Sequence, residues 1–137
     1  MTSIDSIEAY AEKSNEKFEN YKLLFEKKEL EKAGEILWGA IVNMIDLIRL
    51  TKNAPLDNHQ IMRNFLKSYA ASIRDNDLWE LFKEAEKLHP NFYHSFMDKD
   101  YFEETATAAL KLYDKLRILA YEELEKYKKQ INRNQTI

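Results

Sequence analysis

Leu30-Glu31-Lys32-Ala33-Gly34-Glu35-Ile36-Leu37-Trp38-Gly39-Ala40-Ile41-Val42-Asn43-Met44-Ile45-Asp46-Leu47-Ile48-Arg49-Leu50-Thr51-Lys52 is the stretch that decides the fold. Ala33, Leu37, Ala40, Ile41, Met44, Ile45 and Ile48 recur at three- and four-residue steps, which stacks them on one face of a helix. The apolar core of the stretch, Ile36 to Ile48, is interrupted by Asn43 and Asp46 and is too short to cross a bilayer. It reads as the buried helix of a bundle. Asn53-Ala54-Pro55 ends it, because the residue before a proline disfavours helix.

The same period continues on both sides. Ile4, Ile7, Ala11, Phe18, Tyr21 and Phe25 predict a first helix from Thr2 or Ser3 to about Lys27, with a break near Lys28-Glu29 that no Gly or Pro marks. Asp57 or Asn58 can cap a third helix whose inner face carries Met62, Phe65, Leu66, Tyr69 and Ile73. Asp75-Asn76-Asp77 reads as a turn and a second capping site. A shorter fourth helix follows with Leu78, Phe82, Ala85 and Leu88, and Pro90 is expected to stop it. Asp98 or Asp100 caps the last helix, whose stripe is Phe102, Ala109, Leu112, Leu116, Leu119 and Leu124; the polar tail from Lys128 to Ile137 is expected to fray. The expectation is all-α: one domain over residues 1–137, an up-and-down bundle of about five helices.

Composition supports this. Two Gly and two Pro in 137 residues leave no turn-rich β fold, and 45% hydrophobic residues argue against disorder. With no cysteine there is neither a disulfide framework nor a thiolate zinc site, which fits a reducing cytoplasm. The N-terminus has no basic region followed by an apolar run, so no signal peptide and no membrane attachment are expected. The formal net charge of −3, with both signs interleaved, does not point to nucleic-acid binding through phosphates.

Two of the three histidines fall in Leu88-His89-Pro90-Asn91-Phe92-Tyr93-His94, at the corner between two helices. Polar and aromatic groups on a connection held by rigid helices are where function tends to sit. The structural reading of this corner is that Phe92 plugs the bundle end, His89 is partly buried, and Tyr93 turns its hydroxyl to the rim near His94. His89 and His94 lack the i, i+4 spacing of a helical metal pair and have no neighbouring carboxylate at a ligand spacing, so no metal site and no cofactor are expected. As catalytic groups they would need an orienting partner, for which Asn91 and Tyr93 are the local candidates. Further candidates for binding are Trp38 and Gly39 in mid-helix, Asp46 with Arg49 or Arg63 as its cation, and His59 at the start of the third helix. Glu103-Glu104 and Glu122-Glu123 read as surface charges. Tyr121 and Tyr127 on the long last helix read either as exposed aromatics, a patch that an isologous homodimer would bury, or equally as packed against the first helix.

Lys28 to Ala40, ending Leu37-Trp38-Gly39-Ala40, together with Asn58-His59 and Ala85-Glu86-Lys87-Leu88-His89-Pro90-Asn91-Phe92-Tyr93, resembles the PaREP family of small helical proteins of thermophilic archaea. The resemblance runs from about Leu23 to Leu119. It implies a HEPN-like bundle, a superfamily whose members often dimerise, often partner nucleotidyltransferases in toxin–antitoxin pairs, and include ribonucleases with an Arg, four to six residues, then His. Here lysine stands where that arginine would be: Lys83 precedes His89 with five residues between, and Lys87 precedes His94 with six. Lysine supplies charge but not the planar fork of arginine. The function read from the chain is a non-catalytic HEPN-like binding module, a homodimer engaging a protein or nucleotide partner. The alternatives are a ribonuclease using His89 or His94 with Lys83 or Lys87, and a small-ligand-binding bundle using the groove near Trp38 and Asp46.

Overall fold

A computed structural model describes residues 2–135. Its order is α1 (Ile4–Glu26), α2 (Leu30–Thr51), α3 (His59–Ser72), α4 (Asn76–Ala85), α5 (Leu88–His94) and α6 (Lys99–Gln135). There is no strand among the described residues. The all-α expectation holds, with five long helices and a short sixth at the histidine corner. No helix of the described residues is long and apolar enough to cross a membrane.

The helices start where side chains can take up free first-turn amides. Ser3 Oγ accepts from Ser6 N, Asn58 Oδ1 from Ile61 N at 2.9 Å, Asp75 Oδ1 from Leu78 N, and Asp98 Oδ1 from Tyr101 N at 2.8 Å. Their ends use a device that composition hides. Lys28, Asn53 and Arg74 adopt left-handed backbone with φ of 61°, 55° and 57°. Each lets the next amide reach five residues back: Glu29 N to Leu24 O, Ala54 N to Arg49 O and Asp75 N to Ala70 O. This is the helix-ending turn normally given to glycine.

Pro90 does not stop the fourth helix. That helix ends at Ala85, and Pro90 sits in the first turn of α5. A first-turn amide has no acceptor within its own helix, so the missing N–H of proline costs nothing there. Ser95, at φ 48°, ends α5. At the other end of the chain α6 continues through Gln135 rather than fraying at Lys128; Thr136 and Ile137 lie outside the described residues.

α2 is the central element, packing on α1, α3, α5 and α6. Leu37, Ile41, Met44, Ile45 and Ile48 are fully enclosed, with Phe82, Leu88 and Phe102 against them. Phe92 is not the plug of the bundle end: it stays half-exposed, and the buried residue of the corner is Asn91. The reason is polar. Met97 N donates to Asn91 Oδ1 at 2.9 Å, which satisfies a backbone amide in the turn before α6. Tyr127 is also buried, its hydroxyl donating to the Thr2 carbonyl, while Tyr121 is exposed as expected. Glu123 is not a surface charge: it is buried and bound by Lys52 at 2.6 Å.

Candidate functional site

One face of α2 carries Glu35, Trp38, Val42, Asp46 and Arg49, each one turn from the next. The segment after α2 folds back over this face, so Leu56, Asp57, Asn58 and His59 lie opposite it. His89 of α5 closes one end. Trp38, Val42, Asp46, Arg49, Leu56, Asp57, His59, Met62 and His89 line the resulting cleft of about 260 Å³.

Both imidazoles of the cleft are held by carboxylates. His89 Nδ1 lies 2.8 Å from Glu35 Oε1, and His59 Nε2 lies 3.2 Å from Glu86 Oε2. Arg63 Nε donates to the same Glu86 at 3.1 Å. An ionised carboxylate can only accept, so the proton of each imidazole sits on the nitrogen facing it. This fixes the two tautomers in opposite senses and leaves His89 Nε2 and His59 Nδ1 uncommitted. The indole of Trp38 sits behind them, tilted against His59 at 6.0 Å between centroids and against Phe82 at 5.6 Å.

At the far end of the cleft, Arg49 is only 2% exposed. One of its terminal nitrogens donates to Asp46 Oδ1 at 3.2 Å and the other to the Pro55 carbonyl. Its Nε–H finds no acceptor among the described residues. Burial raises the pKa of the Asp46 carboxyl despite the opposing influence of Arg49 and, from α1, of Lys17. Arg49, not Arg63, is the cation of Asp46.

The sequence-derived candidates divide in two. Trp38, Asp46, His59 and His89 meet in the cleft. The others do not join them. Gly39 faces α1, where a Cβ would meet the side chain of Lys17. His94 is exposed at the end of α5. Tyr93 is 65% exposed and sets its ring edge against His89 at 5.3 Å. Asn91 lies beneath a separate groove with Phe92. The lysines are occupied elsewhere: Lys83 pairs with Glu80 at 3.0 Å and Lys87 with Glu84 at 2.7 Å. The partner that orients His89 is Glu35, which sequence reasoning missed. Its signal was its position one turn before Trp38 on the same helix face.

Among the described residues no group of three or more His, Asp and Glu could hold a metal ion. The model of the archaeal PaREP1/PaREP8 family matches residues 6–113 of the chain, a span that includes every residue lining the cleft. No curated protein and no solved structure matches it.

Proposed function

Since the chain belongs to that archaeal family, we propose that it is a non-catalytic helical binding module, HEPN-like in kind, whose working surface is the cleft on α2. The observation that carries this reading is the convergence of Trp38, Asp46, His59 and His89, from three separate segments, on one concave surface. A cleft with apolar walls and a few placed polar groups is the usual form of a small-molecule site. A homodimer is part of the proposal. Its support is the exposure of Leu23 and Phe25 on α1 and of Ile118 and Tyr121 on α6. Dimerisation through these helices leaves the cleft free to take a group of a partner protein, such as a nucleotidyltransferase.

The test is a screen of small fragments of mixed charge, mapped by amide chemical shifts on the whole chain. Binders should perturb residues around Trp38, Val42 and His59. Binders that cluster elsewhere and leave these residues unmoved would overturn the assignment of the cleft.

One observation favours a second reading, a metal-independent ribonuclease. Two carboxylate-bound imidazoles face one cleft, as an acid–base pair must, although the second is His59 rather than His94. Against it, the cations that would stabilise a phosphorane are bound to carboxylates: Lys83, Lys87, Arg49 and Arg63 each have one. Cleavage of RNA that is abolished by His59→Ala and by His89→Ala, with the melting temperature unchanged, would favour the ribonuclease over the binding module.

A further inference from the structure

We propose that the cleft takes a small organic cation, an ammonium or guanidinium head on a short aliphatic body. This rests on the reading of the cleft as the binding surface.

His89 Nδ1 and His59 Nε2 are spent on Glu35 and Glu86. In the neutral imidazoles the remaining nitrogens, His89 Nε2 and His59 Nδ1, are lone-pair acceptors. Asp46 uses Oδ1 on Arg49, and no hydrogen bond to its Oδ2 is present among the described residues. Asp57 is exposed and makes no hydrogen bond or ion pair among them. The guanidinium donors near the site are committed, Arg49 to Asp46 and the Pro55 carbonyl and Arg63 to Glu86, which leaves the indole N–H of Trp38 and the amide N–H2 of Asn58 as neutral donors in the lining. The spare Nε–H of Arg49 is enclosed beneath the lining. Acceptors, two of them on carboxylates, therefore outnumber these neutral donors, and the complement of the cleft is a ligand rich in N–H donors.

Charge points the same way. Glu35, Asp46, Asp57 and Glu86 stand in or directly behind the lining against Arg49 and Arg63, with Lys17 acting on Asp46 from α1. The four carboxylates outnumber the three cations. A bare metal ion does not fit, because these acceptors do not converge into a ligand set. An extended organic cation does fit, since Trp38, Val42, Leu56 and Met62 wall the space between the polar ends. At about 260 Å³ the cleft lies just below the range of drug-sized ligand sites, roughly 300–1,000 Å³. That suits an alkylamine or a short diamine.

The experiment titrates the whole chain with 1,4-diaminobutane by calorimetry and by amide chemical shifts, beside inorganic phosphate. The diamine should bind and move the resonances around Trp38, Asp46 and His59, whereas phosphate should not. Asp46→Asn should weaken diamine binding about tenfold, the loss of one charged hydrogen bond. Because Asp46→Asn disturbs the buried Arg49, Asp57→Asn serves as the second variant; it touches no folded partner and should also weaken binding. If phosphate or a neutral fragment moves the cleft resonances and the diamine does not, the cation inference fails while the cleft stands. Diamine shifts scattered over the acidic surface and insensitive to Asp57→Asn would also overturn it.

Discussion

His89 Nδ1 sits 2.8 Å from Glu35 Oε1, joining α5 to the face of α2 that floors the cleft. Both groups are partly open to water, with side-chain exposures of 45% and 27%. Solvent screening holds such a pair to about 1 kcal/mol or less. Glu35→Gln and His89→Ala should each lower stability by no more than about 1 kcal/mol in urea unfolding, below the 1–3 kcal/mol that a fully buried, unpaired imidazole would cost. In the proposed binding role the contact orients the ring, so binding in the cleft should suffer more than folding does.

The buried polar anchor of the corner is Asn91. Asn91→Ala removes the acceptor of the Met97 amide and a side chain only 2% exposed. The expected loss is about 1–3 kcal/mol, the cost of an unmade buried hydrogen bond. A loss under about 0.5 kcal/mol in the same unfolding assay would show that the turn before α6 does not depend on it.

The two glycines of α2 should respond oppositely to alanine. At Gly34 a Cβ would lie 2.9 Å from Phe102 Cε2 and 3.2 Å from Leu88 Cδ2, both in the packed core. Overpacking of about 1–3 kcal/mol should outweigh the helix-propensity gain of about 1 kcal/mol. At Gly39 the nearest atom is Cδ of the flexible Lys17, at 3.2 Å, so alanine should be neutral or raise stability by up to about 1 kcal/mol. Thermal unfolding of the pair checks both signs.

Acid should destabilise the fold through three carboxylates. Burial pushes Glu123 up, but the hydrogen bond and charge of Lys52, with Lys126 and the Tyr69 hydroxyl, outweigh it and the net shift is down. Glu84 is lowered by Lys87, against burial and with help from Thr105; Asp75 is lowered by Lys115, against burial, with a further hydrogen bond from the Leu78 amide. A folded-state pKa below the unfolded value, near 4, gives stability that is present above it and lost as pH falls through the folded one. Asp46, raised by burial, runs the other way and gains on acidification. Glu123→Gln should flatten the fall of stability below about pH 4. An unchanged slope would remove Glu123 from this account.

What the sequence made legible follows from range. Ser3, Asn58, Asp75 and Asp98 could be read as helix starts because a cap and the amide it serves are three residues apart. The stripe of α2 was legible because 3.6-residue periodicity is local. The break at Lys28-Glu29 was legible from the change of helical phase, but the left-handed turns at Lys28 and Arg74 were not, since nothing in a Lys or Arg side chain announces that backbone. The Glu35–His89 contact spans 54 residues, and no local pattern encodes it. Glu123 was misread because adjacent helix positions point apart, and only packing against α3 and Lys52 decides which of the Glu122-Glu123 pair is enclosed.

The central claim is that His59 and His89, and not His94, belong to one binding surface with carboxylate-fixed tautomers. Nitrogen-15 correlation spectra of the histidine rings test it most directly, recorded with and without 1,4-diaminobutane. The account predicts His89 protonated at Nδ1 and His59 at Nε2, with both ring signals moving on addition of the diamine and that of His94 unmoved. Reversed tautomers at these two rings, or a response confined to His94, would contradict it.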